Sequence, residues 1–335
     1  MKREAEMSGP GRFLAGLCGL MLAAWQGPAA ATELGTLRLG VLKFGTVNWE
    51  LDVIKHNELD AKHGFNLEVQ GFGNKQATAV ALQGDAVDAI VTDWLWVSRQ
   101  RSEGTMVTFI PYSSTVGALM VPPDSGIASL EDLAGKKIGV AGGPLDKSWL
   151  LIQALAKKRH GMDLAAAVEP AFGAPPLLNE KVQDGELQAV LTFWHFAARL
   201  EAKGFDRLVG VEEAMREFGI TTQVPQLGYV FFDQFAEEHP GLIEAFAAAS
   251  RDAKELLRTS DAEWERIRPL TKAKDDATFE TLKRRFREGI PKSWGEAERA
   301  DAAKLYAILA ELGGEKLVGK STELAPGTFW AKVTF

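Results

Sequence analysis

Short apolar runs alternate along this chain with longer stretches in which apolar residues return every three or four positions. A run bounded by turn formers reads as a buried strand, and the three-to-four spacing reads as a helix with one face on a core. Past the first thirty or so residues the order is a strand at "TLRLGVL", a helix around Trp49 to Lys62, a strand at "FNLEVQGF", a helix near Asn74 to Leu82 and a strand at "VDAIVT". "MVTFIPY" and "GALMVP" are further strands, Ser129 is placed to cap a short helix at "SLEDLAG" with Asp132 three residues on, and "KKIGVAG" is again a strand. A helix from about Lys147 to Arg159, the strand "AVEPAF", a helix around Pro175 to Asp184, the strand "LQAVLTF" and a helix from Trp194 follow. After the polar connection "TTQVPQ" comes the strand "LGYVFFD" from Leu227, and everything beyond has helical spacing, as in "GLIEAFAAASRDAKELL", "FETLKRRF" and "ADAAKLYAILAEL".

Strand and helix in alternation predict an α/β protein with mostly parallel sheets flanked by helices. A chain of 335 residues is too long for one core. The helices at the carboxyl end cannot build a sheet alone, so they are expected to pack back on the first half. This divides the chain into a leader at 1–31, a discontinuous first lobe at 32–116 and 226–335, and a second lobe at 117–225. Two chain crossings between lobes suit a hinge.

The first residues break the strand-helix pattern. Basic Lys2, Arg3 and Arg12 precede the apolar stretch "FLAGLCGLMLAAW" and the small residues of "GPAAAT", with Ala29 and Ala31 before an expected cut at Thr32. That order is a cleavable secretory signal peptide and predicts a periplasmic protein. The apolar stretch is shorter than the roughly 20 residues a spanning helix needs. Cys18 is the sole cysteine, and the bulky Leu17 before it argues against lipidation there. The exported chain would then hold no thiol, which excludes disulfides, zinc–thiolate sites and a cysteine nucleophile. A formal net charge of −7 gives no ground for a nucleic-acid partner.

Ligands of open α/β sheets sit outside the carboxyl ends of the strands. Here those ends carry "KFGTVNW", "FGNK", "TDWLW", "YSST", "GGPLDKSW" and "TFWHF". Candidate ligand contacts are therefore Phe44, Thr46, Asn48 and Trp49, then Asn74, then Thr92, Asp93 and Trp94. Ser113 and Ser114 follow beside the first crossing, then Asp146, Lys147, Ser148 and Trp149, and finally Trp194 and His195. The tryptophans read either as walls of a cleft or as core packing. Asp93 could hold an amine or hydroxyl or cap the helix after it, and Asp146, Asn48 and Asn74 have the same capping alternative. Gly142 and Gly143 end a strand and open a helix, leaving backbone N–H groups suited to an anion. Trp96 faces away from Trp94 and reads as packing, as does a lone histidine such as His195. The sequence contains no "GxSxG", no "HExxH" and no phosphate-loop or dinucleotide fingerprint. No catalytic residue, cofactor or resident metal is expected.

The segments "GVLKFGTVNWELDVIKHNELDAKHGFNLEVQGFGN", "LQGDAVDAIVTD", "SLEDLAGKKIGVAGG" and "LQAVLTFWHFAARLEAKGF" resemble periplasmic solute-binding proteins of ABC importers of the nitrate, sulfonate and taurine type. The resemblance runs over essentially the whole chain after the leader. It implies a type II two-lobed periplasmic-binding-protein fold and a receptor that captures a small organic molecule and presents it to a membrane permease and its ATPase. It further implies a monomer and, by family habit, an anionic organic cargo. The carboxylates beside tryptophan walls suggest instead a cationic or neutral aromatic compound, or a metal chelate. A sensor or docking protein without cargo transfer is the alternative. A pyrimidine-precursor synthase, a related architecture, is a lesser one, since such enzymes resemble these receptors but need a cysteine-rich iron site.

Overall fold

Apolar strands that end in glycine or a helix cap build two five-stranded sheets in the structure, a computed structural model that describes residues 34–335. The leader, with Cys18 and the expected cut, lies outside the described residues. The first sheet has the order β2-β1-β3-β10-β4, from β1 (Thr36–Leu42), β2 (Asn66–Phe72), β3 (Ala89–Thr92), β4 (Val107–Ser113) and β10 (Leu227–Phe232). The second has the order β7-β6-β8-β5-β9, from β5 (Ala118–Val121), β6 (Lys137–Ala141), β7 (Glu169–Gly173), β8 (Ala189–Thr192) and β9 (Asp206–Gly210). In each sheet four strands point the same way and the one in fourth place opposes them, β10 in the first and β5 in the second. The sheets are thus mostly parallel, as the pattern of the sequence predicts.

Both opposing strands are those by which the chain enters from the other sheet. β4 ends at Ser113, and after four connecting residues β5 starts at Ala118, paired with Thr192 at the end of β8 and Gly210 at the end of β9. The return crossing leads into β10 at Leu227, which pairs with Ser113. The crossings are tied to one another, because Gln226 N–H donates to Ser113 O at 2.8 Å and Ser114 Oγ donates to Gln223 O at 3.2 Å. Asp301 anchors the return from outside, accepting from Thr221 N, Thr222 N and Thr222 Oγ1 at 2.8–2.9 Å. Burial works against that carboxylate, but Lys304 and the Thr221–Thr222 donors hold its pKa down to about 2.

The first sheet is flanked by α1 (Val47–His56), α2 (Leu59–Lys62), α3 (Lys75–Gln83), α4 (Trp94–Ser102), α10 (Asp233–Glu238), α11 (Leu242–Thr259), α12 (Asp261–Thr271) and α13 (Asp276–Glu288). The second carries α5 (Lys147–His160), α6 (Leu164–Ala167), α7 (Pro175–Gln183), α8 (Trp194–Glu201) and α9 (Val211–Glu217). The helix expected over Trp49 to Lys62 is two helices, because Glu58 takes a left-handed φ of 51°. The helix expected at "SLEDLAG" is one 3-10 turn at Glu131–Leu133. Half of the expected cap is present, Asp132 accepting from Ser129 N at 2.8 Å, but Ser129 Oγ donates to Asp132 rather than capping a backbone N–H. β9 and α9 were not predicted, because "DRLVG" is short and opens with two charges. Of the carboxyl-terminal helices, α10 to α12 pack with the first sheet and its helices, while α13 packs on α12 and on α8 of the second side. The last, α14 (Glu296–Val318), lies against α4 and also against α5, so its Leu305, Tyr306 and Leu309 share a core with Trp94, Trp149 and Ile152. Among the described residues no helix is long and apolar enough to cross a membrane.

Two glycines permit the crossings. A methyl group at Gly117 would overlap the backbone oxygen of Thr192, and one at Gly228 would overlap Ile110 O and the Phe109 ring. Gly117→Ala and Gly228→Ala are each expected to destabilise the protein by about 2–3 kcal/mol, because backbone cannot yield as a side chain can. Gly143→Ala, which meets nothing within 4 Å, is expected to stay within about 0.5 kcal/mol. Urea unfolding of the three variants checks this.

Candidate functional site

The crossings set the carboxyl edges of the two sheets against one another, and helix starts from both sides converge there. On the first side α1, α3 and α4 begin after β1, β2 and β3, and on the second α5 and α8 begin after β6 and β8. Several expected ligand contacts turn out to build this edge rather than lie open on it. Asn74 caps α3, accepting from Ala77 N at 2.8 Å, and Asp146 caps α5, accepting from Ser148 N at 2.9 Å. Burial holds the Asp146 carboxyl above its usual range, with Lys147 and the N–H donors acting the other way. Asn48 Nδ2 donates to Leu42 O and Gly45 O at 2.9 and 2.7 Å, which fixes the turn from β1 into α1. Ser113 and Ser114 are buried in the staple between crossings, Ser113 Oγ lying 2.9 Å from Thr115 Oγ1.

All four tryptophans expected as cleft walls are buried, Trp94 and Trp149 in one core and Trp49 and Trp194 in another. Trp94 has no exposure, packs on Tyr306 and Phe329, and donates its indole N–H to Pro225 O at 2.9 Å. It therefore braces the return crossing. Trp149 is buried in the same core. The alternation of a strand end with a helix start places both residues at the edge, but the first turn of each helix rotates these side chains inward against α14. Thr92 is likewise buried at the end of β3.

The other two meet across the edge. The Trp194 ring, on α8, stands edge-on to Trp49, on α1, with centroids 5.9 Å apart at 86°, and both touch Phe286 of α13. Trp49 donates its N–H to Leu270 O at 3.2 Å. Beside them Glu201 of α8 accepts from Arg284 at 2.6 Å and Arg285 at 2.8 Å, an ion-pair cluster between the halves. A second link is made by Asp93. Its Oδ1 caps Trp96 N at 3.1 Å and lies 3.4 Å from Lys147 Nζ of the opposite side, while Lys75 of α3 stands 4.0 Å from Oδ2. Burial would raise the Asp93 pKa, but Lys147 and then Lys75 outweigh it and hold the carboxylate below its ordinary range.

Thr46 and Ser148 sit half-buried at the starts of α1 and α5, and Phe44 is 77% exposed with Lys272 Nζ 4.8 Å from its ring. Phe193 and Leu145, at the ends of β8 and β6, are exposed too. The apolar groups that remain open on the edge are thus Phe44, Leu145 and Phe193. Lys75, Phe193, Phe286 and the Glu201–arginine cluster escaped sequence reading. Phe193 and Lys75 had a signal, standing in the strand ends "TFWHF" and "FGNK"; the Glu201 ion pairs join residues more than eighty positions apart. Where the crossings meet α13, a cavity of about 270 Å³ is lined by Ser114, Trp194, Arg207, Gln223, Arg285 and Glu288.

Two such sheets, doubly connected and edge to edge, are the type II two-lobed periplasmic-binding-protein fold. The chain belongs to the family described as NMT1/THI5 like, which its residues 61–261 match. The structure is similar to the periplasmic aliphatic sulphonate binding protein SsuA from Escherichia coli, with a TM-score of 0.70 and 16% identity over 88% of this chain and 97% of that one. It is also similar to the alkanesulfonate-binding protein SsuA from Xanthomonas axonopodis pv. citri bound to MOPS, with a TM-score of 0.64 and 16% identity over 90% of this chain and 99% of that one. The periplasmic nitrate-binding protein NrtA from Synechocystis PCC 6803 gives a TM-score of 0.54 and 14% identity over 75% of this chain and 70% of that one. Among curated proteins no sequence matches at a significant level.

His195 lies against the Trp194 and Phe196 rings with no partner for Nδ1. Burial, then the Arg199 charge, lower its pKa from 6.5 to about 4. The unfolded chain therefore takes up this proton first as the pH falls, so stability is undiminished above pH 6.5 and is lost between about 6.5 and 4. His195→Gln is expected to remove about 3 kcal/mol of that loss, read as a flatter plot of unfolding free energy against pH across this window.

Proposed function

We propose that this protein is the exported solute-binding receptor of an ABC importer, working in the periplasm and handing a small organic molecule to a membrane permease. Residues 32–116 with 226–335 form one lobe in this reading and 117–225 the other. The observation that carries it is the pair of short crossings that hold the carboxyl edges of both sheets face to face, since this makes a cleft whose two walls move about a hinge. Membership of the family and likeness to sulfonate- and nitrate-binding proteins support the same reading. Binding rather than catalysis suits an edge whose polar groups are engaged in caps and ion pairs.

The edge favours an organic anion as cargo. Lys75 and Lys147 both reach Asp93, which with Asp146 balances their charge, and the N-terminus of α3, capped by the neutral Asn74, adds positive potential. Phe44, Leu145 and Phe193 offer apolar surface to the body of such a molecule. The relatives named above, which bind sulphonate, alkanesulfonate and nitrate, fit that charge.

A thermal-shift screen against sulfonates, carboxylates, amines, pyrimidines and metal chelates, read also by tryptophan fluorescence, tests the proposal. Saturable stabilisation by one anionic class with a change in emission is expected, because Trp49 and Trp194 bridge the halves. No response from any class would overturn it. Trp194→Ala is expected to weaken the responding compound by about 1–3 kcal/mol, roughly 5- to 200-fold in Kd, by titration calorimetry.

A further inference from the structure

A larger cavity lies between β4, α11 and the segments after α13. It has a volume of about 390 Å³. Its apolar wall is made by Ile110, Ala247, Ile290 and Val333, all buried. Its charged groups are mostly of one sign, namely Arg251, Lys254, Arg258, Arg287 and Lys292 against Glu255 alone.

The cations differ in how far they are already paired. Arg258 is held by Glu255 at 2.6 Å, and Arg287 by Asp261 at 2.8 Å. Among the described residues Arg251 and Lys292 make no salt bridge, and Arg251 reaches only Thr334 O at 3.5 Å. At the inner end lies Lys254, 7% exposed. Its ammonium donates to Ser250 Oγ at 2.6 Å and meets Glu50 at 2.7 Å, and Glu50 also accepts from Tyr229 and Ser250. Lys254 therefore has one N–H of three without a hydrogen-bonding partner, beside the faces of Tyr112 and Tyr229. A buried ion pair needs excellent geometry and full hydrogen bonding to repay its desolvation, so this one holds the lysine in place at the cavity's end. Two free cations at the mouth, a fixed ammonium at the inner end and an apolar wall are the complement of one kind of molecule.

We propose that this cavity is a second binding site, separate from the edge cleft, for an amphipathic organic anion with a carboxylate or sulfonate head and an apolar body. The head sits between Arg251 and Lys292 at the mouth, and the body lies inward along Ile110, Ala247 and Val333. The volume falls in the range of small-molecule sites. Arginine suits a carboxylate by presenting two parallel donors.

The test is calorimetric titration of the protein with hexanoate, hexanesulfonate and benzoate, with hexanol and inorganic sulfate as controls. The double variant Arg251→Glu, Lys292→Glu changes only exposed side chains and so should fold normally. The proposal expects the organic anions to bind, the double variant to weaken them at least tenfold, and Trp194→Ala in the cleft to leave this binding within twofold. Hexanol and sulfate should each bind at least tenfold more weakly, because each lacks one half of the complement. Loss of binding in Trp194→Ala with retention in the double variant would place the anions in the cleft and overturn the second site. Equal binding of sulfate would reduce it to surface charge, and no heat from any anion would remove it; neither result touches the cleft reading, which rests on the cargo screen.

Discussion

Everything at the facing edges depends on how little chain joins β4 to β5. Four residues separate Ser113 from Ala118, and five peptide steps reach at most about 17 Å. β4 runs toward the carboxyl edge of its sheet, so the chain leaves at that edge and must start the next strand almost at once. A strand that starts there runs opposite to strands that end there, which is why β5 opposes β6, β7 and β8. The return is longer, with α9 between β9 and β10, but Gln226 tied to Ser113 brings β10 in at the same edge, so it too opposes its neighbours. The antiparallel strand in each sheet and the face-to-face placement of the two edges are one fact seen twice. The backbone contacts at Gly117 and Gly228 are its local cost, since a neighbouring carbonyl oxygen, of Thr192 and of Ile110, occupies the place a Cβ would take.

With the edges so placed, the contacts across them set how firmly the halves hold together. Glu201 with its two arginines and Asp93 with Lys147 are partly solvated pairs, and such pairs stabilise by about 1 kcal/mol at most each. The Trp49–Trp194 contact contributes about 1 kcal/mol beyond its burial. Contacts of this size are of the order that differential binding of a small molecule can shift. α14 is of another kind. It is packed by Leu305, Tyr306 and Leu309 into a core shared with α4 and α5, so opening about the crossings must either keep that core intact or slide along it. The break in α14 at Gly314, with φ at 57°, and the close approach of Gly313 to Leu150 fall where the helix meets α5.

The sheets were legible in the sequence because a buried strand carries its apolar run wherever it lies in the fold. β9 was not, since an edge strand with charges at its start has only half its surface to bury. The edge was legible as a location and less so in its side chains. "TDWLW" marks correctly where a strand gives way to a helix, yet whether Trp94 faces ligand or core depends on α14, two hundred residues further on. Position after a strand cannot carry that information. Capping shows the same limit, because Asp93, Asp146 and Asn74 are equally suited to a helix N–H and to a ligand, and local geometry meets the nearer need first. Lys147 was legible only as a residue after a strand, and its partner is Asp93, across the edge.

That pairing has a consequence for the sign of the cargo in the receptor reading. Asp93 is fixed by the N–H it caps at 3.1 Å, whereas Lys147 at 3.4 Å and Lys75 at 4.0 Å both reach it on flexible stems. An anion entering between the halves can take Lys147 from Asp93 while Lys75 and the α4 N-terminus continue to hold the carboxylate, so no charge is stranded. A cation entering the same place would have to displace Lys147 and leave its ammonium without a partner, or else stand beside two lysines. The arrangement is therefore asymmetric toward anions. The asymmetry comes from which residue is tethered and which is free to swing, and the count of charges alone would not reveal it.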